Sequence, residues 1–179
     1  MKYQNEGGPD LTQCFDLVRR ATRPSAPQVL RLFDYVIFNA LIGNHDAHAK
    51  NFSLLYSGMT PVLAPLYDTL STAVYPTLTP KMAMKIGSKY KFSEVQARHW
   101  DQFAEAAGLA KAQAKRRVLS LAKSLPASAR KLQSEPGHNF AGNGVVERIN
   151  ALIEQRCALT IRRIADPAAE GEAAAQRHP

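Results

Sequence analysis

Asp46, Asn51 and Asp68 are the residues of this chain whose types and spacing could do chemistry. The first two lie in Gly43-Asn44-His45-Asp46-Ala47-His48-Ala49-Lys50-Asn51, a stretch dense in titratable and amide groups. Asp68 follows in Leu66-Tyr67-Asp68-Thr69. One carboxylate, an Asn five residues later and a second Asp arriving on a separate element are what phosphotransfer requires. On this reading Asp46 accepts the proton of an attacking hydroxyl, while Asn51 and Asp68 hold Mg2+ against the phosphates of ATP. A rival chemistry is metal-dependent hydrolysis, with His45, Asp46 and His48 as ligands. That would need further His ligands, and His99 and His138 stand in poorly matching contexts.

Several elements are needed to position these groups. Asp10 with Gln13 resembles a capping box, and Leu11, Cys14, Phe15 and Val18 then follow helical spacing, which predicts a helix from about Leu11 to Arg20. Ser25 is expected to cap a second helix starting near Pro27. Its apolar residues, from Val29 through Leu41, leave little exposed face, so it should be central and buried. Gly43 ends it, and the polar cluster then projects as a loop from a rigid element. The segments Phe52 to Tyr56 and Pro61 to Pro65 flank the turn signal Ser57-Gly58 and read as a small hairpin that returns Asp68 toward Asp46 and Asn51. Met82 to Ile86 reads as a further short strand closed by Gly87. Beyond it the pattern is helical. Ser93 with Gln96 suggests another cap, Trp100 and Phe103 are core positions, and helices are expected over Lys111 to Lys123, Ala127 to Leu132 and Val145 to Ile164. Pro126 and a Gly-rich turn separate these helices, and the Ala, Glu and Pro-rich tail 166–179 is expected to be disordered.

Composition sets the outer bounds. The 179 residues, 45% hydrophobic and 21% charged, suit one ordinary globular core. The longest apolar run, Tyr35 to Ile42, is broken by Asn39 and falls well short of the roughly 20 residues a bilayer span needs. The first residues lack the apolar core of a secretory signal and two cysteines make no disulfide framework, so a bacterial-type cytoplasmic location is expected, with both thiols simply buried. A net charge of +8 attracts polyanions. Lys111, Lys115, Arg116, Arg117, Lys123, Arg130 and Lys131 gather in one segment without interleaved aromatics, which favours a solvated helical face over a nucleic-acid contact.

Asp46 and Asn51 share the spacing of the protein-kinase catalytic loop, although no His-Arg-Asp precedes them and Asp68 sits in Tyr-Asp-Thr rather than Asp-Phe-Gly. The stretch from Gly43 to Ser53, with Pro-Leu-Tyr-Asp-Thr-Leu-Ser downstream and Lys-Tyr-Gln-Asn-Glu-Gly-Gly-Pro near the start, closely resembles the C-terminal lobe of the HipA toxin kinases, over roughly Lys2 to Leu121. The resemblance implies a mainly α (α+β) fold, a helical kinase-like C-lobe with a small β-hairpin carrying the catalytic loop, over 1–165. It further implies a Ser/Thr protein kinase of a toxin-antitoxin system using ATP and Mg2+. A helix-turn-helix antitoxin, DNA contact through that complex and a protein substrate, in one branch a glutamyl-tRNA synthetase, are the implied partners. Position by position, Asp46 matches the catalytic Asp, and Asn51 and Asp68 match the magnesium ligands. Lys50 stands beside them as a phosphate-neutralising candidate. His48 matches the motif, and we assign it the orienting of the loop by hydrogen bonds. His45 stands where the family often has Thr or another small residue. The family's N-terminal lobe, with its ATP-anchoring Lys, has no counterpart motif in these residues, so the chain reads as a C-lobe alone. A non-catalytic lobe that binds antitoxin or nucleic acid is the alternative.

Overall fold

The computed structural model describes residues 1–56 and 58–166. Helix α1, Leu11–Ala21, starts at a true capping box: Asp10 Oδ1 accepts from the Gln13 amide at 2.8 Å, and Gln13 Oε1 accepts from the Asp10 amide at 2.9 Å. Helix α2, Ser25–Ile42, follows. Its N-cap is Pro24 rather than Ser25, which lies inside the first turn. Proline at the boundary already presets an extended backbone before the helix. Leu32, Phe33, Ile37 and Leu41 on α2 are completely buried, so this helix is the axis of the domain. Gly43 ends it with φ +80°, a left-handed conformation that glycine adopts without Cβ strain.

Two antiparallel pairs follow. Strands β1, Leu54–Leu55, and β2, Val62–Leu63, form the expected hairpin, though each is only two residues long. Gln28 on α2 accepts from the Leu63 amide at 3.0 Å and so docks the hairpin on the central helix. Strand β3, Lys81–Ile86, pairs with β4, Lys89–Lys91, across an irregular register. The second partner of that pair is an addition to the sequence reading.

Helix α3 spans Ala97–Ala106. Gln96, not Ser93, stands at its cap, and its amide donates to His99 Nδ1 at 2.8 Å. Phe92 and Val95 are both buried, which draws the preceding residues into a 3-10 turn, Phe92–Glu94, and leaves Ser93 in that turn. Phe33 of α2 stacks on Phe103 of α3 at 4.5 Å, with Phe15 and Trp100 packed around them, so the two aromatics read as core residues are core.

Helix α4 runs unbroken over Lys111–Ser134, with Pro126 inside it, where the sequence predicted two helices. Proline removes one ladder bond. The hydroxyls of Ser124 and Ser128, which flank it, donate to the carbonyls of Leu121 and Ser124 in the preceding turn, and Leu125 and Ala129 pack against the core through the same stretch. Helix α5, Gly144–Ala165, begins at Asn143, whose side chain accepts from Val145 and Val146, and lies along α4. Arg130 of α4 bridges to Glu147 and Glu154 of α5 at 2.9 and 2.7 Å. The tail from residue 167 lies outside the described residues. Among the described residues no helix is long and apolar enough to cross a membrane.

Candidate active site

The loop after Gly43 is organised by one buried amide. Asn44 is 4% exposed; its Nδ2 donates to Asn39 Oδ1 at 2.8 Å and to the Asp68 carbonyl at 3.0 Å, while its Oδ1 accepts from the Asp46 amide at 3.1 Å. A single side chain thereby ties the backbones of Asp46 and Asp68 to the end of α2. A second tie comes from Tyr67, which donates to the Lys50 carbonyl at 2.8 Å and bonds Ser53 Oγ at 2.6 Å. Asp68 arrives on an irregular segment after β2, in a left-handed conformation with φ +55°. Asp tolerates that region better than most residues.

Asn51 closes a 3-10 turn, Ala49–Asn51, and is 6% exposed. Its Oδ1 accepts from the His48 amide at 3.1 Å, which orients the carboxamide, and its Nδ2 donates to Asp68 Oδ2 at 2.5 Å. The expected approach of Asn51 and Asp68 is therefore direct contact. A carboxylate and a carboxamide oxygen are hard ligands of the kind Mg2+ accepts when substrate phosphates and water supply the remainder. His48 is 6% exposed and its Nδ1 has no hydrogen-bond partner among the described residues. The turn is held through the His48 backbone amide, which donates to Asn51 Oδ1.

Asp46 is half-buried, with both oxygens engaged: Tyr3 OH donates to Oδ1 at 2.8 Å and Lys2 Nζ to Oδ2 at 3.0 Å. Burial alone would raise its carboxyl, but the bonds from Tyr3 and Lys2 outweigh burial and hold it below the usual carboxylate range. Asp46 is thus ionised at neutral pH. The partner carboxylate correspondingly raises the Lys2 ammonium. Tyr3 also packs edge-on against the His48 ring at 6.1 Å. An open cleft of about 420 Å³ lies on this side, lined by Tyr3, His45, Asp46, Thr72 and Thr79. Lys50 is exposed and lines a different cavity, with Gln13, Leu17 and Leu63, to which neither Asp46 nor Asp68 contributes.

His45 offers no lone pair to a metal, because Nδ1 faces the Thr79 carbonyl at 3.0 Å and Nε2 faces Arg156 at 2.8 Å. Among the described residues no three His, Cys, Asp or Glu side chains group as a metal cage. Both observations count against the hydrolase chemistry. Lys2, Tyr3 and Asn44 are the site residues for which sequence reasoning gave no role. Lys2 and Tyr3 belong to the motif near the start of the chain, but nothing in their spacing ties them to Asp46, more than forty residues away.

The architecture has known counterparts. Its fold is similar to a solved chain of the Shewanella oneidensis HipA, HipB and operator DNA complex, with a TM-score of 0.79, 21% identity, and coverage of 89% of this chain and 37% of that one. The profile of the HipA-like C-terminal domain matches residues 1–129, and the chain belongs to that family. It is 49% identical over 120 residues to "Putative kinase Y4mE" of Sinorhizobium fredii, covering 67% of this chain and 29% of that protein. To the serine/threonine-protein kinase toxin HipA of S. oneidensis it is 31% identical over 104 residues, 57% of this chain and 23% of the toxin. The chain thus spans less than two fifths of the length of each of these proteins.

Proposed function

We propose that this chain is the catalytic C-terminal lobe of a Ser/Thr protein kinase toxin that moves the γ-phosphate of ATP to a protein hydroxyl. The observation that carries this reading is the joining, through the single amide of Asn44, of an ionised Asp46 to the Asn51–Asp68 pair. A substrate hydroxyl enters by the cleft that Asp46 lines and hydrogen-bonds its carboxylate. As that oxygen forms its bond to the γ-phosphorus, Asp46 takes the proton, the bond to the bridging oxygen breaks, and ADP leaves with the electron pair. Asn51 and Asp68 are the residues that would hold Mg2+, which neutralises phosphate charge when bound. Lys2, beside Asp46, supplies a cation close to the transferring group. The named complex of the structural neighbour supports an antitoxin partner, with DNA contacted through it.

The test uses the chain with an N-terminal lobe supplied in cis or as a second polypeptide. Asp46→Asn is expected to abolish radiolabel transfer with the fold intact, because an amide cannot take the hydroxyl proton. Asp68→Ala is expected to weaken magnesium-nucleotide binding as well as turnover. Undiminished transfer by the Asp46 variant would remove it from the chemistry and favour a binding module.

A further inference from the structure

Arg156 lies on α5, beyond the residues matched by the family profile, yet its guanidinium reaches the residue next to Asp46. NH2 donates to His45 Nε2 at 2.8 Å and NH1 to the Ala40 carbonyl at 2.8 Å, near the end of α2. The guanidinium also sits 4.4 Å from the centre of the Phe92 ring. Because Nε2 accepts, the imidazole proton must reside on Nδ1, where it donates to the Thr79 carbonyl at 3.0 Å. The backbone of His45 is held as well. Its amide donates to Thr72 Oγ1 at 2.9 Å, and its carbonyl accepts from the Ala83 amide of β3 at 2.8 Å. Four polar atoms of one residue thus join α5, β3, the 3-10 turn Thr72–Val74 and the segment before β3. α5 touches the loop directly too: a Cβ placed on Gly43 would lie 2.7 Å from Leu152 Cδ2 and 2.8 Å from Ala73 Cβ.

We infer that Arg156 is a positioning residue of the phosphotransfer site: through neutral His45 it fixes the direction in which Asp46 leaves the loop, making α5 a working part of that site. The inference rests on the phosphotransfer reading of Asp46 for its catalytic consequence only. The anchoring of the loop by Arg156 stands on the geometry. Its chemistry makes the arrangement sensitive to acid, because a protonated His45 cannot accept from Arg156 and faces a second cation. The charged groups around the ring are Arg156 from α5, Asp46 on the loop itself, and Lys81 and Glu6, which line the same cleft from β3 and from the 3-10 turn Gln4–Glu6. α2 presents a carbonyl, and Thr72 and Thr79 carry no charge. Burial and then Arg156 push the imidazole below its ordinary value, against the opposing pull of the Thr79 carbonyl.

The experiment is an imidazole titration by NMR together with amide hydrogen exchange on the full chain, as wild type, Arg156→Met and Arg156→Lys. The wild-type His45 is expected to stay in the Nδ1-protonated neutral form until below the ordinary histidine value of about 6.5. Arg156→Met should raise that titration toward the ordinary value and speed exchange of the His45 and Asp46 amides by about tenfold, with α1 and α3 unchanged. Arg156→Lys keeps the charge but loses the two-pronged grip, and decides the matter should the Met variant fail to fold. In the kinase completed with an N-terminal lobe, Arg156→Lys should lower kcat about tenfold with little change in KM for ATP, and move the acid side of the pH profile upward. An ordinary His45 titration in the wild type, or unchanged exchange at 45 and 46 in both variants, would overturn the anchoring. A loosened loop with unchanged kcat would overturn its catalytic consequence. Absence of transfer by the wild type would count against the kinase reading alone, since the titration and exchange still decide the anchoring.

Discussion

At the level of single residues, the carboxylate of Asp46 is set by two donors that come from far away in sequence. Removing either donor has a determinate sign. Tyr3→Phe deletes one hydrogen bond and Lys2→Met deletes the other together with its charge, so burial regains weight and the Asp46 carboxyl should titrate at higher pH in each variant, further for Lys2→Met. A carboxyl 13C titration reads this directly, and an unmoved Asp46 would show that the two contacts do not govern its charge. The meeting of Asn51 with Asp68 was legible in the sequence, because the hairpin between them returns the chain toward the loop. Lys2, Tyr3 and Arg156 were not, because each acts across 43 to 111 residues and no local periodicity encodes such a pairing. Asn44 stood inside the motif, yet its three hydrogen bonds serve geometry rather than chemistry. Lys50 follows the loop in sequence, and its side chain lines a cavity with Gln13 and Leu17.

At the level of elements, the ends of helices were legible where local chemistry decides them and illegible where tertiary packing does. Asp10 and Gln13 close their box regardless of what surrounds them, and Gly43 turns the chain because α2 can end there without strain. Ser93 has equal capping capacity, but burial of Phe92 and Val95 moves the start of α3 three residues on. Pro126 is a breaker by propensity, and the long packing of α4 against α5 overrides it. The sharpest expectation at this scale concerns Gly43. Gly43→Ala forces a Cβ into the left-handed region, costing about 1–2 kcal/mol, and against Leu152 and Ala73, adding about 1–3 kcal/mol. Denaturant unfolding should therefore show a loss of about 2–5 kcal/mol, with faster amide exchange at Asn44 to Asp46. A loss below about 0.5 kcal/mol would mean that the loop and α5 are not in rigid contact.

At the level of the whole molecule, the net charge of +8 overstates the free positive surface. In the basic segment Lys111 pairs with Glu105 at 2.7 Å, Lys115 with Asp101 at 3.2 Å, Arg117 with Asp34 in a two-pronged bridge, and Arg130 with two glutamates. Acids from near and far in the chain, Glu105 next to the segment and Asp34 on α2 among them, meet these cations once the helices pack. Such exposed pairs add little stability singly. Histidines held neutral contribute to the pH dependence of folding. His99 is 2% exposed and its Nδ1 accepts from the Gln96 amide at the start of α3; burial, then neighbouring cations, push it below the ordinary value. His45 is shifted the same way. A base whose folded pKa lies below its unfolded value binds protons more readily when unfolded, so stability rises with pH across the gap and is lost as pH falls below about 6.5. The chain should thus keep its melting temperature from neutrality upward until other groups titrate, and lose several degrees between about pH 6.5 and 5. His99→Gln, which can still accept from Gln96 but cannot be protonated, should flatten part of that decline in a thermal melt series, and a slope identical to wild type would remove His99 as a source of the acid sensitivity.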